Sequence, residues 1–232
     1  MKVLISAYLC EPNKGSEPGF GWNWTLEMAK AGHQVWCLTR PDRKEEIETE
    51  LKKYPDLSIS FTYVAPPKWA EVLHSIEKRF PPVYYIWFYS NYLAWQRKAA
   101  RVARELDAKV DFDVVHHVTM GSFQLSSAMW KLKKPFVFGP VGGGNFPPKA
   151  FRSYFGNEWR RELFRVATSK LLLKFNTSTK KTARNASVVL VTNRETDEMA
   201  RKVGSTRTML FLDTGLPPYF FPETMPARPL GS

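Results

Sequence analysis

The sequence predicts an α/β fold: a Rossmann-like parallel sheet of about seven strands with helices on both faces. The main observation is that short β-branched and aromatic runs alternate with segments of helical spacing along the chain. Repeated strand–helix–strand order is typical of parallel sheets. A second observation is size, since 232 residues, 44% of them hydrophobic, can bury a sizeable core.

The first part of the chain supplies three strands and two helices. The strands are predicted at Lys2–Tyr8, Gln34–Thr39 and Ser58–Val64, where β-branched and aromatic residues concentrate. A helix is predicted over Gly19–Ala31, because its apolar residues have helical spacing and Gly32 follows as a stop signal. A charged helix over Asp42–Lys53 begins just after Pro41.

The second part supplies four further strands, predicted at Phe112–Val118, Pro135–Phe138, Ser187–Thr192 and Arg207–Asp213. Two helices are predicted within Trp69–Asp107, separated by Pro81 and Pro82. Further helices are predicted at Ser122–Lys131, over most of Phe151–Arg184, and at Arg194–Lys202. After Gly215 the chain is rich in proline, which is typical of a linker. We therefore expect a Rossmann-like domain at 1–215 and a linker or tail at 216–232.

The net charge of +12 is concentrated in two basic aromatic segments, 66–107 and 149–184. Seven basic and two acidic residues lie at 66–104, and ten basic and two acidic residues lie at 149–184. Such local basicity implies an anionic partner: nucleic acid, anionic lipid or a phosphorylated small molecule. The aromatic residues leave three interpretations open, which are a packed helical subdomain, contact with an anionic membrane, and stacking on sugars or bases. No nucleic-acid motif is present, so we expect no nucleic-acid partner.

The expected location is cytoplasmic, with the inner face of the membrane as a peripheral alternative. Two cysteines exclude a disulfide scaffold, and we expect Cys10 and Cys37 to be reduced. No apolar run approaches the roughly 20 residues that span a bilayer. The apolar run Val3–Cys10 lacks a cleavage site after it and is better interpreted as a strand.

Ligands of open parallel sheets bind at the carboxyl ends of the strands. This rule selects three turns, Cys10–Gly21, His116–Ser122 and Gly139–Pro148. The first contains Gly-Ser-Glu-Pro-Gly-Phe-Gly-Trp, starting at Gly15, whose glycines let a ligand approach the backbone at a helix start. It matches neither the dinucleotide nor the Walker A pattern, and Glu17 disfavours direct phosphate binding. A tight turn without a ligand is the alternative.

Two adjacent histidines end the fourth predicted strand. Strand alternation places His116 and His117 on opposite faces, so one of them is expected to reach the cleft. There a neutral imidazole can orient a sugar hydroxyl or accept a proton; the alternative is a pair of hydrogen-bonded structural histidines. We expect no metal site, because further ligands at metal spacing are missing. In the third turn, three consecutive glycines (Gly142–Gly144) predict that the backbone packs closely against another group. A flexible surface loop is the alternative.

The first turn resembles the signature of family 4 retaining glycosyltransferases with the GT-B fold. The strand end Asp113–Thr119 and the Gly139–Gly144 loop are similar to the same subfamily, in the same order, and the resemblance covers residues 1 to 221. It implies two Rossmann-like domains facing a cleft, of which the N-terminal one binds the acceptor and the C-terminal one binds the nucleotide-sugar. This chain would be a single N-terminal domain of that architecture.

The resemblance also implies roles for single residues. Gly15 and Ser16 would lie near the donor diphosphate, and His116 or His117 would contact the transferred sugar as the catalytic-site histidine. The residues expected to shape the acceptor side are Glu17, Gly19, Gly21, Thr119, Gly142, Gly143, Gly144 and Asn145. Retention by front-face attack needs no protein nucleophile. The nucleotide-sugar is a co-substrate, and no further cofactor and no metal are expected.

The family's pair of glutamates and its basic pair for the donor belong to the second domain, and no second Rossmann unit follows Gly215. We therefore expect the acceptor-binding half of a hexosyltransferase that acts on a glycan or a lipid-linked acceptor and is inactive without its C-terminal donor domain. One alternative is a non-catalytic membrane-surface or carbohydrate-binding module. A third possibility is a nucleotide-binding Rossmann domain.

Overall fold

Seven strands form one parallel sheet in a computed structural model, which describes residues 1–67, 69 and 84–212. The strands are β1 (Lys2–Ser6), β2 (Gln34–Thr39), β3 (Ile59–Tyr63), β4 (Val114–His117), β5 (Phe136–Val141), β6 (Val188–Val191) and β7 (Thr208–Leu210). Their order across the sheet is β3-β2-β1-β4-β5-β6-β7, and every pair of neighbours is parallel. The predicted Rossmann-like α/β fold is confirmed.

The helices lie between the strands. They are α1 (Ser16–Lys30), α2 (Lys44–Leu51), α3 (Tyr84–Val110), α4 (Arg152–Phe155), α5 (Trp159–Phe175), α6 (Thr177–Asn185) and α7 (Arg194–Lys202). Short 3₁₀ turns occur at Pro41–Arg43, Met129–Leu132, Lys149–Phe151 and Gly156–Glu158. In the described part of the chain, no helix is both long and apolar enough to cross a membrane.

Helices cover both faces of the sheet, as predicted. Successive residues of β1 point to opposite faces, so Leu4 joins one hydrophobic core while Val3 and Ile5 join the other. The Leu4 core is completed by side chains of α3, α6 and α7, among them Trp95, Ala183 and Ala200. The Ile5 core is completed by α1 and α2, among them Trp22, Leu26 and Ile47. Cys10 and Cys37 lie in this second core as free, buried thiols.

The aromatic residues of α3 belong to the core. Tyr92, Trp95, Ala99 and Ala103 recur at helical spacing and are fully buried. The Trp95 indole N–H donates to the Val64 carbonyl at 2.8 Å, which ties the helix to the end of β3. For this part of the first basic aromatic segment, the interpretation as a packed helix is therefore correct.

The helix predicted at Ser122–Lys131 is wrong. The segment is irregular and ends in the single 3₁₀ turn Met129–Leu132. Side chains of neighbouring helices form hydrogen bonds with backbone groups that would be paired within a helix. Gln96 Oε1 accepts from Ala128 N, and Thr182 Oγ1 accepts from Ser127 N while donating to Ser127 O. These tertiary hydrogen bonds satisfy the backbone without a helix.

The other element predictions hold with shifted ends. The Phe151–Arg184 segment consists of α4, α5 and α6 with 3₁₀ turns between them, and β7 is shorter than its predicted span. Gly32 adopts a positive φ of 86° directly after α1, which is why that helix stops there. The predicted break at Pro81 and Pro82, residue Asp213 and the predicted linker at 216–232 lie outside the described residues.

Candidate functional site

The strand order places a ligand cleft at one position of the sheet. β1 lies between β2 and β4, because the chain passes outward from β1 through β2 to β3 and then returns to β4 on the other side of β1. In open parallel sheets, the crevice at such a switch point, outside the carboxyl ends of the strands, binds the ligand. The loops that follow β1, β4 and β5 meet there. The predicted site residues lie in these loops, in the first two turns of α1 and, for His116 and His117, at the end of β4.

The first turn of α1 is open at this position. Gly15 is the N-cap residue with φ −86° and ψ −178°, and a Cβ atom added to it would meet nothing within 4 Å. Gly15 and Ser16 are both exposed. The first backbone N–H groups of a helix have no partners within the helix, and the helix dipole favours an anion beside them. This end of α1 can therefore accept a phosphate group.

Glu17 does not offer its carboxylate to that opening. Its two oxygens accept hydrogen bonds from Met120 N and Gly121 N, each at 2.7 Å. The carboxylate thus joins the start of α1 to the loop after β4 and holds the two sides of the cleft in register. This geometry explains how an acidic residue is tolerated in the turn, because its charge is already hydrogen-bonded. Its predicted role in shaping the acceptor side stays a prediction.

Gly19 and Gly21 serve the packing of α1 on the loop after β1. A Cβ atom on Gly19 would lie 1.9 Å from the Lys14 carbonyl oxygen. A Cβ atom on Gly21 would lie 2.1 Å from the Leu9 carbonyl oxygen. Both glycines therefore face the protein's own backbone. The sequence analysis expected a ligand to approach the backbone at the glycines of this turn, whereas the groups closest to Gly19 and Gly21 belong to the loop after β1.

His116 is buried on the α1 side of the sheet. Its Nε2 atom lies 2.7 Å from the Gly139 carbonyl oxygen, so Nε2 carries the hydrogen and donates. The imidazole also meets the Trp24 ring edge-on, with 4.7 Å between ring centroids. Burial is the larger effect on this group and lowers its pKa to about 4, while the Gly139 hydrogen bond opposes the shift.

His117 is buried on the opposite face, towards α3. The Tyr92 hydroxyl lies 3.3 Å from its Nε2 atom. Burial, and secondarily the neighbouring His116, lower the pKa of His117 to about 3, against a small opposing effect of the Thr119 backbone. Burial raises the pKa of Tyr92 well above its usual value. A protonated Tyr92 and a neutral His117 therefore share this hydrogen bond.

The predicted opposite orientation of the two histidines is confirmed, and each has a structural partner. Neither side chain is open to solvent, with 2% exposure for His116 and 0% for His117. Their predicted contact with the transferred sugar stays a prediction. Tyr92 and Trp24, which hold them, were not predicted as site residues; the sequence shows them only as members of aromatic stretches.

The loops after β4 and β5 are hydrogen-bonded to each other. Gly142 N donates to Gly121 O at 2.6 Å, and Phe123 N donates to Gly142 O at 2.8 Å. Thr119, whose hydroxyl accepts from Leu9 N at 3.3 Å, joins the loop after β4 to the loop after β1. Three strand ends are therefore connected into one rim around the cleft.

The glycines of the third turn allow close packing on α7, as three consecutive glycines predicted. A Cβ atom on Gly144 would lie 2.6 Å from the backbone of Glu195, and Gly144 N donates to Thr196 Oγ1 at 3.1 Å. A Cβ atom on Gly142 would lie 2.9 Å from the Thr192 hydroxyl oxygen. Gly143, with a φ of +111°, and Asn145 are the exposed residues among those predicted to line the acceptor side in this turn.

A cavity of about 380 Å³ opens beside this turn. Its lining consists of Gly144, Phe146, Leu173, Glu195, Glu198, Met199 and Lys202. It combines apolar walls with two carboxylates and one ammonium group, a mixture that suits a hydroxyl-rich ligand with apolar faces. Gly144 is the predicted acceptor-side residue that reaches it. Within the described residues, no group of three or more potential metal ligands occurs.

The fold and this rim define a Rossmann-like domain whose cleft has a helix N-terminus open to an anionic group. More specifically, the chain belongs to Glycosyltransferase Family 4, whose family model matches residues 22–210. Membership in this family confirms the resemblance found in the sequence. No curated protein sequence matches the chain closely enough to count as a relative.

Solved glycosyltransferases are similar in fold. UGT89C1 of Arabidopsis thaliana, complexed with UDP-L-rhamnose, has 11% identity and a TM-score of 0.47 over 98% of this chain and 55% of its own. UGT73P12 of Glycyrrhiza uralensis, complexed with glycyrrhetinic acid 3-O-monoglucuronide, has 13% identity and a TM-score of 0.45 over 90% and 48%. The calicheamicin glycosyltransferase CalG4 has 16% identity and a TM-score of 0.44 over 98% and 55%. The chain spans about half the length of these proteins.

Proposed function

We propose that this chain is the acceptor-binding domain of a glycosyltransferase that transfers a sugar from a nucleotide-sugar to a glycan or lipid-linked acceptor with retention. The observation that carries the proposal is the open first turn of α1 at the switch point of the sheet. Family membership supplies the reaction class. In this proposal, a second domain binds the nucleotide-sugar, and transfer needs both domains.

Each part of the rim has a place in the reaction. The first-turn amides at Gly15 and Ser16 stabilise the diphosphate as the bond to the sugar breaks, since charge develops on the leaving phosphate. Glu17 positions that helix end against the loop after β4. The cavity beside Gly144 holds the acceptor, with Glu195 and Glu198 accepting hydrogen bonds from its hydroxyls. No protein nucleophile takes part.

Inorganic pyrophosphate tests the diphosphate site without the second domain. We expect it to shift the backbone amide signals of Ser16 and Glu17 in ¹H–¹⁵N NMR spectra, because a free helix start binds anions. The variant Gly15→Val is expected to lose this response, since its branched side chain would stand over the first turn. Its fold is expected to persist, because Gly15 is extended and has open space around it.

The control for this experiment is the same titration with sodium chloride at equal ionic strength, which separates diphosphate binding from salt effects. A response confined to exposed lysines elsewhere would contradict the proposed site. So would an unchanged response of the Ser16 amide in Gly15→Val.

A further inference from the structure

The outward face of α5 carries an apolar stripe. Phe164, Leu171 and Phe175 are 71%, 58% and 69% exposed. They are separated by seven and four residues, so they lie on one side of the helix. The inward face is formed by Trp159, Val166 and Leu173, also at intervals of seven, with Leu173 packed against the core. The helix is therefore apolar on two opposite sides, and only one of them is covered by the described part of the domain.

Cations flank this stripe. Arg160 and Arg161 lie one turn before Phe164 and are exposed. Lys174 lies between Leu171 and Phe175, with its Nζ 6.0 Å from the Phe175 ring centre. The 3₁₀ turn Lys149–Phe151 and α4 add Phe151 and Tyr154, which are 50% and 84% exposed. The whole segment 149–184 contains ten basic and two acidic residues.

Exposed aromatic and leucine side chains set among arginine and lysine are the pattern of a helix that lies in the surface of an anionic membrane. A second copy of the chain is a poor partner for this face, because two strongly basic surfaces would oppose each other. A nucleic acid would pair with the cations but would leave the three apolar side chains of the stripe in water. The charge and the apolar stripe together favour a lipid surface.

We infer that α5, together with α4 and the 3₁₀ turn Lys149–Phe151, docks this domain on an anionic lipid bilayer. The inference rests on the proposed function and makes the acceptor a lipid-linked one. The inward side of α5 supplies Leu173 to the cavity proposed for the acceptor. The cavity then lies about one helix diameter, roughly 10 Å, from the membrane surface. A lipid-linked sugar can reach it while its lipid stays in the bilayer.

Vesicle flotation with the full chain tests this inference. Vesicles of phosphatidylcholine alone are compared with vesicles that also contain phosphatidylglycerol, at low and high salt. We expect binding to the anionic vesicles only, weakened by salt. The variant Arg160→Glu/Arg161→Glu is expected to lower the vesicle affinity about tenfold or more, because each surface cation contributes about fivefold. The stripe variant Phe164→Ser/Leu171→Ser/Phe175→Ser is expected to lose binding to a similar degree.

Two control variants match these changes elsewhere on the surface. Lys52→Glu/Lys109→Glu alters the net charge equally at exposed positions of the domain. Leu210→Ser/Leu212→Ser removes exposed apolar side chains that are 64% and 82% exposed near β7. Both are expected to bind vesicles as the unaltered chain does. Circular dichroism before each assay confirms that the variants are folded.

Equal binding by the α5 variants and their controls would overturn the inference, as would equal binding to both kinds of vesicle. If the stripe variant instead abolishes self-association measured by light scattering, the stripe is an interface between copies and the inference is wrong. The pyrophosphate titration uses no lipid. Failure of vesicle binding with an intact pyrophosphate response would therefore remove the membrane contact and leave the proposed function standing.

Discussion

Lowering the pH from about 7.5 to about 5 is expected to reduce the free energy of unfolding by about 4 kcal/mol through His116 and His117 alone. Burial lowers the pKa of His116 to about 4 and that of His117 to about 3. Both values lie below the ordinary value of about 6.5 that the unfolded chain regains. The unfolded state therefore binds more protons in this range. The stabilisation is complete above about pH 6.5 and is lost as the pH falls towards 4 and 3.

Urea unfolding at a series of pH values checks this result. The variant His117→Gln, whose amide oxygen can still accept from Tyr92, is expected to show about half of the pH-dependent loss. Carboxylates that titrate in the same range contribute equally to both proteins, so the difference between their pH profiles isolates the histidine. Identical profiles for the two proteins would contradict the buried, neutral state of His117.

The substitution Gly19→Ala is expected to lower the free energy of unfolding by about 3 kcal/mol or more. The new methyl group would lie 1.9 Å from the Lys14 carbonyl oxygen. This oxygen is a backbone atom, so no change of side-chain rotamer can relieve the clash. Either α1 or the loop after β1 must move. Because Glu17 on α1 holds the loop after β4, the displacement also reaches the far side of the cleft.

Gly15→Ala is the matched control within the same turn. Its methyl group meets nothing within 4 Å, and its backbone is extended, so a change below about 0.5 kcal/mol is expected. Denaturant titration of both variants provides the comparison. Equal losses of stability would show that the glycines of this turn are kept for backbone freedom in general and not for the contact between Gly19 and Lys14.

These contrasts divide the predicted site into two kinds of residue. Glu17, Gly19, Gly21, Thr119, Gly142 and Gly144 contact other backbone segments of the rim and hold the loops together. Gly15, Ser16, Gly143 and Asn145 are the exposed ones, and their contact with a ligand stays a prediction. A signature motif of this kind therefore encodes the construction of a cleft as much as the contacts made within it.

The sequence by itself determined the strand and helix order, the parallel sheet and the turns at its carboxyl edge. Hydrophobic periodicity and glycine positions are local properties, and in a parallel sheet they dictate where the loops gather. The opposite orientation of His116 and His117 followed from strand alternation alone. The family of the chain was also indicated by short motifs, whose residues are close together in sequence.

Only the tertiary structure decided what those residues touch. That Gln96 and Thr182 replace the helix predicted at 122–131, and that Glu17 binds Met120 and Gly121, depends on groups distant along the chain. The same holds for the division of the aromatic segments into buried α3 and exposed α5. The local sequence pattern determines which segments form strands, helices and turns. The burial and the hydrogen-bond partners of a residue depend on which distant segment packs against it.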